Sequence, residues 1–362
     1  MNSLGTSFTF TSFGESHSRA IGGVLDGVPA GMHIDFALIR EALDRRAGRL
    51  SAAGVSPRAK REPDEVEWLS GVLDGVTLGT PIAFLIRNRD ARPEDYEWLK
   101  HSFRQGHADW TYQYKYGTRD WRGGGRASAR ETAARVVAGT IALQMLSERG
   151  ISVHAELVQV GEATDPACFD EVIRAAGADG DSVGGIVRCC VTGLPAGLGE
   201  PVFDKLQSHL AFAMMSINAC KGFDYGSGFE GVALRGSEAN RVSGGMLGGI
   251  SDGTMLSFRC VFKPTPTTAR SLSALQSQVP NPQSQITNPQ SQITNNQSQI
   301  TNHKSQITNN QSSVNSSLSE THQSIISQSF RSDVCIAVRA VPVVESMAAL
   351  VLCDFLSLSS NS

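Results

Sequence analysis

Polar and apolar residues alternate over residues 7 to 13 (Ser-Phe-Thr-Phe-Thr-Ser-Phe), the two-residue period of a strand with one buried face. This strand delivers Gly14-Glu-Ser-His17 at its end. An apolar, glycine-rich run over residues 20 to 28 follows, closed by the turn Pro29-Ala-Gly31. Residues 36 to 46 predict a helix ending in Asp44-Arg-Arg46, and residues 66 to 73 and 82 to 86 predict strands. Ser128 and Glu131 have the S-x-x-E spacing of a capping box. A helix is therefore expected from about Ala129, with a buried stripe of Ala134, Val137, Ala138, Ile141, Ala142 and Met145 and a stop at Gly150. Residues 151 to 160, 185 to 194 and 254 to 262 read as further strands. Residues 169 to 176, 204 to 215 and 346 to 356 read as helices.

The pattern breaks after residue 270. From Asn281 a seven-residue period sets in (NPQSQIT, NPQSQIT, NNQSQIT, NHKSQIT), with one apolar residue per repeat, Ile286 in the first. A coiled coil needs a second apolar seam position, and Asn and Pro oppose helix. Polar tracts of this kind bury too little apolar surface to offset ordering entropy, which predicts a disordered low-complexity insertion over 271–329. The division expected is thus a core over 1–270, the insertion, and a C-terminal part of the same core over 330–362.

The 362 residues are 40% hydrophobic and 19% charged, ordinary for a soluble chain, with a net charge of -3. That balance gives no reason to expect nucleic acid or an acidic membrane as a partner. Charged residues and Pro342 interrupt the apolar stretch over 336 to 356, against a membrane span. No secretory signal is read at the N-terminus. Seven cysteines show neither zinc spacing nor a disulfide framework, so no metal is expected and a reducing cytoplasm is the natural location.

Positive charge is local. Between Tyr116 and Arg135 five arginines and the run Gly123-Gly-Gly125 lead into the expected helix. Glycines there would let an anion approach unpaired amides and the positive helix end. A second positive segment, with Arg49, Arg58, Lys60 and Arg61, reads either as a solvated loop or as a flap over an anionic substrate. Trp110 to Tyr116 interleaves aromatics with basic residues, which can stack nucleic-acid bases or equally hold one flat heterocyclic cofactor. His107 sits in a glycine-flanked loop, which favours function. His17 stays open between packing and catalysis, and Ser16 is not expected to face it, because neighbours in a strand point to opposite sides. Residues 215 to 222 offer backbone as a ligand wall.

Assembled in order, the motifs Gly14-Glu-Ser-His17, Asp44-Arg-Arg46, Arg61-Glu-Pro-Asp64, Gly106-His-Ala-Asp109, Arg122-Gly-Gly-Gly-Arg126, Ser128-Ala-Arg-Glu-Thr132, Met215-Ser-Ile-Asn-Ala219, Gly248-Gly-Ile-Ser251, Lys263-Pro-Thr265 and Ile336-Ala-Val-Arg-Ala-Val-Pro342 closely resemble the chorismate synthase family. The resemblance implies an α+β, single-domain β-α-β sandwich assembled as a homotetramer. It implies a lyase that converts 5-enolpyruvylshikimate 3-phosphate into chorismate, using reduced FMN that is not consumed, with NADPH as a possible reductant. By resemblance His17, His107 and Asp333 are catalytic. Arg126, Ser128, Asn218, Ala219, Gly248, Lys263, Pro264, Thr265, Pro266, Thr267 and Arg331 would contact flavin. Arg46 and Arg58 would contact substrate or NADP.

Ser18 replaces a glycine of the family pattern, Ala127 a serine and Ser332 a histidine. These departures leave a second reading: a catalytically impaired relative acting as a flavin-binding or interaction protein. An FMN oxidoreductase consuming NADPH is disfavoured, because no G-x-G-x-x-G follows a strand.

Overall fold

Helix Thr132–Glu148 is buried around most of its circumference, including Thr132, Val136, Gly139 and Thr140 outside the expected stripe. An all-round buried helix belongs at the centre of a fold, with elements packed on every side. The computed structural model, which describes residues 1–49, 61–104, 106–239, 242–268, 270 and 333–359, shows what surrounds it.

Strands β1 (Ser3–Leu4), β2 (Thr9–Phe13), β3 (Ala20–Asp26), β4 (Val66–Trp68) and β7 (Ile82–Arg87) form an antiparallel sheet of order β1-β2-β3-β7-β4. Between β4 and β7, β5 (Val72–Leu73) and β6 (Val76–Thr77) make a separate hairpin. The single strand expected over 66 to 73 is thus broken. Gly71 adopts a left-handed φ of 81°, and the chain turns away there. On the opposite side β8 (Ser152–Val160), β9 (Gly185–Thr192), β10 (Cys220–Tyr225) and β13 (Leu256–Phe262) form a second antiparallel sheet of order β10-β13-β9-β8, and β11 (Met246–Leu247) pairs with β12 (Ile250–Ser251). Helices Phe36–Ala47, Thr132–Glu148, Leu206–Met215 and Ala337–Ser359 pack with these sheets around one continuous apolar core, a sandwich in the expected α+β class.

The closing helix begins at Ala337, nine residues before the position the sequence suggests, and carries Pro342 within it. A proline removes one helical hydrogen bond, yet burial on both sides holds this segment helical. Ser346 Oγ donates to the Pro342 carbonyl at 2.7 Å. Its charged residues are paired inside the protein. Glu345 accepts from both terminal nitrogens of Arg45 at 2.8 and 3.0 Å and from the Ala155 amide at 2.9 Å. Asp354 accepts from the amides of Thr6, Ser7 and Phe8 at 2.7 to 2.9 Å, tying the N-terminal strand to the last helix. This helix is long and apolar enough to cross a membrane, but 83% of its apolar window is buried in the core. A Cβ at Gly139 would lie 2.2 Å from the Ser346 Cβ, so the two central helices cross at near backbone contact. The septet region lies outside the described residues.

Candidate active site

A cavity of about 670 Å³ opens where the end of β2, the end of helix Phe36–Ala47, the glycine loop, the corner before β10, the segment after β13 and the start of the last helix meet. Its walls carry Arg46, Arg61, Arg92, Arg104, Arg126, Arg130, Arg135, Arg339 and Lys263 against Glu62, Asp90, Asp95, Glu131 and Asp333. Cations are in excess among the described residues.

Past β2 the chain leaves the strand for a turn, so the alternation rule does not hold at residues 16 and 17. Ser16 Oγ lies 3.0 Å from His17 Nδ1, contrary to the expectation from sequence. His17 is buried, with Tyr96 edge-on at 4.8 Å between ring centres. The triple glycine does something the sequence did not suggest. A Cβ at Gly123 would fall 2.1 Å from His17 Cε1, and one at Gly124 would fall 2.9 Å from an Arg104 nitrogen. The missing side chains therefore make room for protein groups at the cavity wall.

Ser128 caps as expected but accepts from the Arg130 amide at 3.3 Å, and a 3-10 turn, Ala129–Glu131, precedes the α-helix. The capping box is only half formed, because Glu131 turns to pair with Arg135. Arg126 reaches back to neutral oxygens, Ser12 Oγ at 2.6 Å and the Gly14 carbonyl at 3.2 Å. Among the described residues it has no carboxylate partner.

Arg46 is fully buried. Its Nε donates to Thr132 Oγ1 at 3.1 Å, Nη1 to Asp64 at 3.3 Å and Nη2 to the Ala129 carbonyl at 3.1 Å. Asp64 also takes a short ion pair from Arg130. Burial, with Arg339 and Arg130 close by, pushes the Arg46 guanidinium down to about 9. Asp64 is held below the usual carboxylate range, because Arg46 and Arg130 together outweigh its burial. The two shifts are consistent: one carboxylate serves two cations, so it is over-stabilised and each cation under-compensated. Arg46 still carries its charge at neutral pH.

On the opposite wall His107 Nε2 lies 2.7 Å from Thr267 Oγ1. Burial first, then the charges of Arg104 and Lys263, lower its pKa to about 4, so the imidazole is neutral at pH 7. Arg104 is fixed by a two-pronged pair with Asp109 at 2.8 and 2.9 Å. Lys263 Nζ donates to the Gly106 carbonyl at 3.0 Å and, like Arg126, has no carboxylate partner among the described residues. Asn218 Nδ2 donates to the Ala127 carbonyl at 2.9 Å, whereas its Oδ1 is buried without a partner. Ala219 beside it holds a left-handed φ of 67°, turning the chain so that its carbonyl accepts from the Lys263 amide at 3.0 Å. Asp333 Oδ2 accepts from Arg339 at 2.6 Å, and its carbonyl accepts from Thr265 Oγ1 at 2.8 Å.

Of the residues expected from sequence, His17, Arg46, Arg126, Ser128, Asn218, Ala219, Lys263, Pro264, Thr265, Pro266 and Asp333 line one cavity with His107, and Thr267 holds that histidine from behind. Gly248 does not line it. It sits exposed in the turn between β11 and β12. Arg58 and Arg331 lie outside the described residues. Sequence reasoning missed Asp64, Tyr96, Arg104 and Arg339. All but Tyr96 fall within or beside quoted motifs, so the signal was present but not the partner.

Two antiparallel sheets around buried helices, with a cation-rich cavity bearing two histidines, define an α+β protein with a site suited to a small anionic molecule. The family model for chorismate synthase matches residues 8–299 and 284–357. The chorismate synthase of Christiangramia forsetii is 41% identical over 98% of this chain and 97% of its own length, and that of Phocaeicola vulgatus 40% over 98% and 97%. A crystal structure of a chorismate synthase, 26% identical, superposes with a TM-score of 0.68 over 98% of this chain and 93% of the other. The chain belongs to the chorismate synthase family. It is a lyase of aromatic amino-acid biosynthesis.

Proposed function

We propose that this chain converts 5-enolpyruvylshikimate 3-phosphate into chorismate and inorganic phosphate by 1,4-elimination, with reduced FMN held in the cavity. The observation that carries the reading is the meeting of His17, His107, Asp333 and an excess of cations around one volume of about 670 Å³, within the roughly 300–1,000 Å³ of small-molecule sites. A substrate with two carboxylates and a phosphate needs such a wall.

The residues also fit a flavin. Asn218 Oδ1, buried and without a partner, suits a ring N–H, and the uncompensated Lys263 and Arg126 suit a phosphate or ring carbonyl. Arg126, Ser128, Asn218, Ala219 and the run 263–267 would hold it. When bound, reduced FMN supplies electron density to the allylic system and is regenerated.

The chain's own part is binding, orientation and proton handling. His17 is positioned by Ser16 and Gly123 to protonate the departing phosphate. His107 presents a neutral imidazole that can donate or accept, and a bound polyanion would raise its proton affinity. Asp333, fixed by Arg339, supplies a carboxylate acceptor. A homotetramer and a cytoplasmic location complete the reading. Phe203, Phe229 and Val232 expose large apolar side chains of the kind that subunit contacts cover, and the seven cysteines are free thiols.

The test is chorismate formation under anaerobic conditions with chemically reduced FMN, run beside an arm with oxidised FMN and NADPH. Chorismate in the first arm is expected; turnover in the second would show that the chain reduces its own flavin. A folded, flavin-binding preparation that makes no chorismate from reduced FMN refutes the proposal.

A further inference from the structure

Two guanidiniums meet at the cavity wall, and they are used differently. Every nitrogen of Arg46 is engaged, by Thr132, Asp64 and the Ala129 carbonyl, and its side chain is 2% exposed. Arg339 donates from Nε to the Arg46 carbonyl at 2.9 Å and from Nη1 to Asp333 Oδ2 at 2.6 Å. Its Nη2 makes no hydrogen bond with a described residue and is not among the buried atoms left unsatisfied, so it keeps access to the cavity that Arg339 lines. A buried guanidinium with two nitrogens held by protein and the third open is oriented before any ligand arrives. Its donors are coplanar, so the two bonds to protein fix where the third edge aims.

We propose that Arg339 anchors an anionic oxygen of the substrate, a carboxylate or the phosphate, through Nη2, while Nη1 and Nε hold Asp333 and the Arg46 carbonyl in place. Arg339 is thereby both a substrate contact and the positioning residue for Asp333, and the inference rests on the reaction proposed above. Lysine carries the same charge but cannot serve all three directions at once.

The experiment compares wild type with Arg339→Lys. FMN affinity, read by fluorescence quenching, is expected to change less than about twofold, whereas KM for 5-enolpyruvylshikimate 3-phosphate rises about tenfold or more, the scale of one lost hydrogen bond to a charged group. The rise in KM exceeds the fall in kcat. An unchanged KM overturns the proposal. Should the lysine variant not fold, the pair Asp333→Asn and Asp333→Asn/Arg339→Gln is compared by equilibrium dialysis of the substrate, the first keeping the Arg339 charge and the second replacing both members of the ion pair by neutral amides. At least tenfold weaker binding in the double variant supports the anchor, and equal binding refutes it. If the wild type binds substrate yet makes no chorismate, the proposed reaction fails while the dialysis still decides the role of Arg339.

Discussion

Gly123→Ala perturbs the site through its wall, displacing His17 without replacing it. The added Cβ would fall 2.1 Å from His17 Cε1 and 2.2 Å from Nδ1, where ordinary contact begins at 3.4 Å. The ring must therefore retreat by about 1 Å, which breaks the 3.0 Å contact between its Nδ1 and Ser16 Oγ. Alanine at a φ of 62° adds about 1–2 kcal/mol of backbone strain, and crowding in a packed interior about 1–3 kcal/mol. The protein should still fold. A misplacement of this size costs about 100-fold in rate when the moved group takes part in the chemistry. The expected result is a turnover number about 100-fold lower, with FMN affinity nearly unchanged. The assays are anaerobic chorismate formation, flavin fluorescence quenching and urea denaturation. Turnover within about threefold of wild type, in a variant that loses stability as stated, would show that the placement of His17 does not matter and would refute the reasoning.

Asp354→Ala leaves the amides of Thr6, Ser7 and Phe8 without their acceptor, and urea denaturation should show a loss of about 1–3 kcal/mol; a loss below about 0.5 kcal/mol contradicts the pairing. His107 is held neutral, with its pKa lowered to about 4, so between pH 6.5 and 4 the unfolded chain binds a proton that the folded chain refuses. Stability is therefore lost as pH falls through that window, and His107→Asn should flatten the slope by up to one proton; an unchanged slope counts against the burial argument. Asn218→Ala removes the orphaned Oδ1, so FMN affinity should fall about tenfold with little loss of stability, and an unaltered flavin titration would separate Asn218 from the cofactor.

Much of the frame was legible because burial leaves a periodic trace. Phe8 and Phe10 alternate with polar neighbours because this segment has one face on the core, although the pattern fails at its end, where Ser12 is buried and Phe13 exposed; residues 36 to 46 form the helix Phe36–Ala47 because Asp35 caps its start and Gly48 closes it. Periodicity failed where an element is buried on every side. Helix Thr132–Glu148 looked like a stripe and is a core helix, and Pro342 hid the first turns of Ala337–Ser359 although packing holds them helical. In the site, motif residues identified the participants but not their partners. Arg46, at the end of its predicted helix, is expected by resemblance to contact substrate or NADP, and its guanidinium is bound on every nitrogen by protein. Gly123 reads as an opening for a ligand, and its space belongs to the ring of His17. The Arg46–Thr132 contact joins residues 86 positions apart, a separation that no local pattern encodes. Arg339 was visible only as a letter in a motif, because its importance lies in two bonds, to Asp333 and to the Arg46 carbonyl.

The central claim is that one cavity brings a flavin ring and a polyanionic substrate together. A crystal structure of the chain with FMN and 5-enolpyruvylshikimate 3-phosphate tests it most directly. The isoalloxazine is expected within hydrogen-bond distance of Asn218 Oδ1, and the substrate anions on the arginine wall between His17 and Arg339. Flavin or substrate bound outside this cavity, or the two held apart in it, would contradict the account.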